Sequence, residues 1–257
     1  MPPVGGIGRQ LAAAAAFACA SALALAQGFG VTPLRVDLDA GARSAILTII
    51  NDGDEPGAYR VQLSHWTQDA AGNDAYADSS ELIYFPQQLR IPQKDRRIVR
   101  IGLRAAPPEA EVAYRIFVEE LAKPRSPGEA GKGAVSGIGV TLRFGVPVFV
   151  RPAQVRLAGA VAGLEVGKAT VRAEVRNSGN AHFRIRQIQV SGLDAAGTST
   201  FEQAVDGWYL LAGAARTYAL ALPGDVCRKT VRVRFAVKAE ELEFESAAPV
   251  EPAKACS

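Results

Sequence analysis

The chain has 257 residues, of which 48% are hydrophobic, and it carries 29 Lys and Arg against 26 Asp and Glu, for a net charge of +3. This length allows one large domain or two ordinary ones. A charge so close to neutral argues against nucleic-acid binding, which usually requires a concentrated basic patch.

The N-terminal segment has the layout of a secretory signal peptide. Arg9 precedes the apolar run at residues 11–26, which ends in the small-x-small sequence Ala-Leu-Ala. The run is short and weakly apolar for a transmembrane anchor, and no convincing lipidation motif precedes Cys19. We expect residues 1–26 to be removed by cleavage after Ala26, which leaves an exported chain with no stable membrane anchor.

Short alternating segments separated by turn residues follow, as in an all-β sandwich. In the first half, the predicted strands cover residues 30–38, 44–51, 59–66, 82–91, 96–103 and 113–122. The polar stretches 67–80 and 123–137 have no apolar alternation and predict loops.

One further strand, at residues 138–150, is unusually long and apolar. Every even residue in it is apolar, which predicts a half-buried strand. Pro147 cannot donate a ladder hydrogen bond and therefore favours a sheet edge or a bulge. An apolar edge strand invites pairing with another chain. Either all even side chains face this protein's own core, or residues 146–150 fill that core while the preceding ones serve a partner. The side chains that would serve the partner are Ile138, Val140, Leu142 and Phe144.

A second series of strands follows Pro152, so we predict domains at residues 27–151 and 152–257. The predicted strands of the second domain cover residues 168–177, 180–193, 216–222 and 228–237, and no helix of convincing length is expected. Loss of the leader leaves two cysteines, Cys227 and Cys256. In an exported protein such a pair predicts one disulfide, with two free thiols as the alternative.

The sequence offers no recognisable active site. His65 and His182 fall in different predicted domains, and the nucleophile motif G-x-S-x-G is absent. Glu119 and Glu120 are adjacent on a predicted strand, so their side chains face opposite ways and cannot act as a carboxylate pair. We therefore expect neither an enzyme nor a bound metal or cofactor.

Five segments, taken in order and spacing, carry a resemblance to a known family. They read TPLRVDL, NDGDEPGAYRVQLSHWTQ, IYFPQQLRIPQKDRRIVRIGL, YRIFVEEL and GVTLRFGVPVFVRP. Together they resemble the periplasmic pilus-assembly chaperones of the chaperone–usher pathway. The WTQ sequence at 66–68 and the residues around Pro147 look more like the archaic, spore-coat-like fimbrial branch. The resemblance implies an all-β fold of two immunoglobulin-like β-sandwich domains in a boomerang arrangement.

The resemblance also implies a function. In the family, the last strand of the first domain lends alternating apolar residues to an unfinished fimbrial, pilus or coat subunit, which is then delivered to an outer-membrane usher. We therefore expect a periplasmic chaperone whose open edge allows self-association when no client is present. The alternative is an exported structural subunit or adhesin that polymerises with itself. Such a subunit needs an N-terminal donor segment, and residues 27–33 are too short to supply one.

Two basic residues of the family's cleft bind the terminal carboxylate of the subunit, a charge-assisted contact. Arg35 matches the first of them. The second is a lysine that aligns with Pro147 here, so Arg100 and Arg143 are the candidates to replace it. A solvated strand face is the alternative role for each arginine.

The family also links its two domains through an internal ion network. Glu120 and Arg151 stand at matching positions, and Asp225 is a third candidate. Pro86 falls where the family often has a cis peptide bond, with an ordinary trans turn as the alternative.

Overall fold

A computed structural model describes residues 28–121 and 141–256. The predicted signal peptide and two of the predicted donor residues, Ile138 and Val140, lie outside the described residues.

Ten strands form the first β-sandwich. They are β1 (Phe29–Thr32), β2 (Val36–Leu38), β3 (Ser44–Asn51), β4 (Gly57–Gln68), β5 (Asp74–Asp78), β6 (Leu82–Phe85), β7 (Gln88–Ile91), β8 (Asp95–Leu103), β9 (Val112–Glu120) and β10 (Arg143–Val150). One sheet has the order β1-β3-β8-β6, and the other has the order β2-β10-β9-β4-β5 with β7 paired to β4. We refer to them as the first and second sheets.

The core of this sandwich follows from the two-residue period of its strands. Tyr59, Val61 and Leu63 of β4 are buried, whereas the intervening Arg60 and Gln62 are exposed. Because successive strand residues point to opposite faces, this alternation places one face of the second sheet against the first. The remaining strands contribute buried residues to the same core in the same way.

Prolines divide two of the predicted strands. The predicted strand 30–38 becomes β1 and β2 around Pro33, and the predicted strand 82–91 becomes β6 and β7 around Pro86. A proline lacks the N–H that a continuous ladder requires, so each strand ends before it. Both prolines follow cis peptide bonds, which confirms the expectation for Pro86.

Eight strands and two single-turn helices form the second β-sandwich. They are β11 (Gly159–Gly167), β12 (Thr170–Asn177), β13 (Phe183–Leu193), β14 (Ser199–Asp206), β15 (Tyr209–Leu210), β16 (Ala215–Ala221), α1 (Gly224–Cys227), β17 (Arg232–Ala239), β18 (Glu243–Pro249) and α2 (Pro252–Ala255). The sheets have the orders β11-β12-β16 and β14-β13-β17-β18, with β15 paired to β13. A separate apolar core lies between them.

The all-β fold class predicted from the sequence is confirmed, although several strands were missed. Residues 74–78 were predicted as loop but form β5, whose side chains are nearly all exposed. The acidic stretch 243–249 forms β18, where no residue is fully buried. Strands without a buried face lack the apolar alternation on which the prediction depends. Neither helix of the described chain is long and apolar enough to cross a membrane.

Candidate functional site

The second sheet has an edge that is only partly covered. Strand β10 pairs with β9 along its whole length, but on its other side β2 pairs only with Val148–Val150. Within the described chain, residues 143–147 of β10 therefore have no strand on that side. Pro147 lies on this edge, where the sequence placed it. Unpaired backbone groups on an edge strand are a template for pairing with another chain.

The apolar residues of β10 divide between the core and the open edge. Val146, Val148 and Val150 are buried in the first core, as predicted for residues 146–150. Leu142, immediately before the strand, is 37% exposed. Phe144 is half-buried and packs edge-on against the ring of Phe29, with centroids 4.8 Å apart. Of the two described donor candidates, Leu142 is thus the freer to contact a partner.

Arg35 and Arg143 lie on the outer face of the second sheet. Arg35 donates from Nε and Nη2 to the two carboxylate oxygens of Asp37, at 2.8 Å each. Burial acts to lower the pKa of Arg35, but the hydrogen bond and charge of Asp37 outweigh it and raise that pKa. The guanidinium of Arg35 also lies 5.1 Å from the ring centre of Phe149. Arg143 stacks on Phe117 at 3.8 Å.

The third predicted anchor, Arg100, lies elsewhere. It belongs to β8 in the first sheet, where the register pairs it with Ile46 and Phe85. Arg100 is exposed between the buried residues Val99 and Ile101, so it faces away from the core. The structure therefore does not bring Arg100 together with Arg35 and Arg143.

An apolar cluster joins the two sandwiches next to this face. Trp66, Ala113 and Phe149 of the first sandwich pack with Leu211 of the second. Hydrogen bonds surround the cluster: Gln68 donates to the Tyr209 carbonyl at 2.8 Å and accepts from the Leu211 N–H at 3.0 Å. These contacts hold the second sandwich against the outer face of the second sheet.

Further hydrogen bonds extend this junction. The Trp208 indole donates to Asp74 Oδ2 at 3.1 Å, which ties β5 to the second sandwich. Glu111 and His182 form a second link. Glu111 Oε1 lies 2.6 Å from His182 Nδ1 and accepts from the His182 backbone N–H at 3.0 Å. Their side chains are only 1% and 3% exposed. His182 is therefore a junction residue, a role that its isolated position in the sequence did not reveal.

Within residues 28–121 and 141–256, the predicted interdomain ion network of Glu120, Arg151 and Asp225 does not form. The Glu120 N–H donates to the Leu142 carbonyl at one end of the β9–β10 pair, whereas Arg151 follows Val150 at the other end. Asp225 is exposed on α1. The prediction chose Glu120, at the C-terminal end of β9, as the acidic partner. The acidic side chain that reaches the junction is instead Glu111, just before the N-terminal end of that strand.

The predicted disulfide is present. Cys227 and Cys256 are joined with their Cα atoms 5.8 Å apart, which links α1 to α2 at the C-terminal end. Among residues 28–121 and 141–256, no three His, Cys, Asp or Glu side chains come close enough to hold a metal ion.

Sequence reasoning missed one residue on the outer face of the second sheet, Arg115. It lies on β9 within a stretch that was interpreted only as an apolar strand. Its guanidinium lies 4.2 Å from the ring of Trp66, and its Nη1 donates to the Tyr76 hydroxyl at 3.0 Å. Burial raises the pKa of Tyr76, while the charge of Arg115 acts in the opposite direction. Alternation could have placed Arg115 on the outer face, but not against these rings.

Residues 28–156 match the model of a family described as pili and flagellar-assembly chaperone, PapD N-terminal domain. No curated protein matches the chain in sequence.

Several solved structures share the fold. The class 5 fimbriae chaperone CfaA is 14% identical with a TM-score of 0.56, and the match covers 88% of this chain and 100% of that one. A chain of the CsuC–CsuE chaperone–tip adhesion subunit pre-assembly complex, from the archaic chaperone-usher Csu pili of Acinetobacter baumannii, is 16% identical with a TM-score of 0.55 and coverages of 85% and 97%. A chain of the Salmonella enterica SafA pilin complex with the SafB chaperone is 14% identical with a TM-score of 0.52 and coverages of 86% and 96%. Identities this low show a common two-domain fold and nothing finer.

Proposed function

The chain belongs to the pili and flagellar-assembly chaperone family defined by the PapD N-terminal domain, and from this premise we propose that it is a periplasmic chaperone for fimbrial, pilus or coat subunits. It stabilises each subunit by donor-strand complementation and delivers it to an outer-membrane usher. The matched structures include chaperones bound to a tip adhesion subunit and to a pilin, which supports a subunit as the partner. The self-polymerising alternative is not favoured by these matches.

The observation that carries the proposal is the open edge of β10. Residues 143–147 have one free side among the described residues, and exposed Leu142 stands immediately before the strand. Strand addition uses the main chain of an edge for affinity and alternate side chains for specificity. Ile138, Val140, Leu142 and Phe144 are the donor side chains of the proposal, and Arg35 lies at the far end of the edge.

The proposal includes a cellular setting. The leader at residues 1–26 directs export and is cleaved after Ala26, and the mature chain has domains at 27–151 and 152–257. The system belongs to the archaic, spore-coat-like branch, and the WTQ sequence at 66–68 and the residues around Pro147 support this part of the proposal. Without a client, the open edge pairs with a second copy of the chain. No catalytic step forms part of the proposal.

Leu142→Asp tests this function. Burying a leucine contributes about 1.5–3 kcal/mol, or roughly ten- to 100-fold in affinity, and an unpaired carboxylate in an apolar pocket is unfavourable in addition. In co-expression with the cognate pilus subunit, we expect Leu142→Asp to yield at least about tenfold less complex than the wild type, while the free chaperone keeps its unfolding midpoint.

Val205→Asp is the matched control, since Val205 is also 37% exposed but lies on β14 of the second sandwich. It should leave the yield of complex unchanged. Equal recovery of the subunit with Leu142→Asp and with the wild type would contradict the proposed function.

A further inference from the structure

The open edge of β10 has one outward position without a side chain. Phe144 and Val146 pack in the first core. Because successive strand residues point to opposite faces, the positions that point outward along this edge are Arg143, Gly145 and Pro147. A glycine inside a strand often marks a place where another group approaches closely. The surroundings of Gly145 show which group this is.

The ring of Phe117 occupies the space above Gly145. The register of β9 and β10 places these two residues directly opposite each other. A Cβ atom at Gly145 would lie 3.0 Å from Phe117 Cε1 and 3.3 Å from Phe117 Cδ1, closer than the ordinary carbon contact of about 3.5–4.0 Å. The missing Cβ therefore lets the ring lie over the edge strand itself. We call this place, Gly145 with the edge of the Phe117 ring above it, the glycine notch.

Neighbouring side chains hold the Phe117 ring in this position. The guanidinium of Arg143 lies 3.8 Å from the ring centre. Tyr76 packs against the ring in a T-shaped arrangement, with centroids 5.3 Å apart and planes inclined by 86°. The Cδ of Arg115 is also 3.0 Å from the Cβ position of Gly145, so its aliphatic part borders the notch. Because the ring is already ordered, a partner that contacts it loses little further side-chain entropy.

A guest strand on the open edge brings one side chain to the glycine notch. Paired strands lie about 4.8 Å apart, and directly opposite Cβ positions are about 4.5–5.5 Å apart. The outward guest side chain opposite Gly145 therefore meets the Phe117 ring instead of a neighbouring Cβ. An aromatic ring suits this place, since rings pack edge to face and guanidinium groups are attracted to ring faces. A small aliphatic side chain would leave a gap, and a carboxylate would lie against an apolar ring.

We propose that the glycine notch receives an aromatic side chain of the guest strand and thereby fixes the register of the guest on β10. The side-chain period of a strand is two, so a guest in the wrong register with the same face outward is shifted by two residues. Its ring would then meet the side chain of Arg143 or of Pro147. An aromatic residue beside a strand glycine also covers the backbone that the glycine leaves bare. This assignment rests on the proposed function and adds a requirement on the sequence of the guest.

Competition between two forms of the cognate pilus subunit tests the assignment. Each aromatic residue in the edge strands of the subunit is replaced by leucine in turn, and the replaced and natural forms are co-expressed with one chaperone. Mass spectrometry of the purified complex gives the ratio of the two forms. For one of these residues we expect the wild-type chaperone to prefer the aromatic form about three- to tenfold, as for an aromatic pair. With Phe117→Leu the same preference should fall below about twofold.

Two glycine variants locate the effect at the notch. Gly145→Ala adds a carbon 3.0 Å from Phe117 Cε1, so the ring must shift and the aromatic preference should fall as in Phe117→Leu. Gly30→Ala is the matched control, because Gly30 also lies in a strand of the first sandwich and its added Cβ meets nothing within 4 Å. It should keep the full preference. The ratio is measured within each variant, so a general loss of stability does not mimic the result.

The assignment is overturned if no aromatic replacement changes the ratio with the wild type by about threefold. It is also overturned if Phe117→Leu or Gly145→Ala keeps the full preference. A wild-type chaperone that forms no complex with the subunit overturns the proposed function together with the assignment. A complex that forms without any aromatic preference overturns the assignment alone, so the two failures are distinguishable.

Discussion

The buried contact between Glu111 and His182 leads to a quantitative prediction about how the two sandwiches hold together. Glu111→Ala removes the acceptor of the His182 backbone N–H and of the contact to His182 Nδ1. Both side chains are almost fully buried, so water does not replace the lost partner. Breaking such a buried pair by removing one member costs about 3–5 kcal/mol. With a urea dependence of about 2 kcal/mol per molar, the midpoint should fall by about 1.5–2.5 M.

Tryptophan fluorescence is a suitable assay because the two tryptophans of the chain, Trp66 and Trp208, both lie at the junction. The control is Glu245→Ala, which breaks a surface pair with Arg234 in which both side chains are about half exposed. Exposed pairs contribute at most about 1 kcal/mol, so its midpoint should move by no more than about 0.5 M. If Glu111→Ala shifts the fluorescence midpoint no further than Glu245→Ala, the contact does not hold the junction.

Two further predictions concern the individual sandwiches. Burial, followed by the charge of Glu120, raises the pKa of Tyr59 to about 12. The unfolded chain loses this proton near pH 10, so the contribution of Tyr59 to the unfolding free energy is complete below that pH and is lost as the pH rises towards 12. The difference in unfolding free energy between wild type and Tyr59→Phe should therefore change only above about pH 10. A difference that does not depend on pH would contradict the raised pKa of Tyr59. Replacing Cys227 and Cys256 by alanine opens a link across a sequence separation of 29 and should lower the unfolding free energy by about 3–4 kcal/mol. Circular dichroism in urea measures this change, and reductant should affect the wild type but not the double variant.

The sequence predicted those parts of the fold that depend on local alternation. Each of these strands has one buried face, so its inward residues can be predicted without knowing the neighbouring strands. The side chains predicted in this way include Val61 and Leu63 of β4 and Val146 and Val148 of β10, all of which are buried. Strand β5 escaped prediction because it lies at a sheet edge with almost no buried residue. Edge pairing depends on the adjacent strand, which no local pattern reports.

The site was less predictable because it depends on register and on docking. Glu111 stands in a loop and finds its partner at His182 only when the two sandwiches pack together, so neither residue carries a periodic signal. Arg115 could be placed on the outer face by alternation alone. Predicting its position opposite Pro147 requires the register of β9 against β10. Predicting its stacking also requires the position of Trp66 on a third strand, β4.

Strand β10 connects the open edge to the junction, so the two features are physically coupled. On one face Val146 and Val148 are buried in the first core. On the other face Phe149 is fully buried and stacks on His182, with ring centres 3.6 Å apart and planes inclined by 14°. Ordering one residue of backbone costs about 1–2 kcal/mol. Packing on both faces fixes residues 146–149. A guest that adds along the edge up to Pro147 therefore meets, at that end, backbone whose conformational entropy was lost when the protein itself folded.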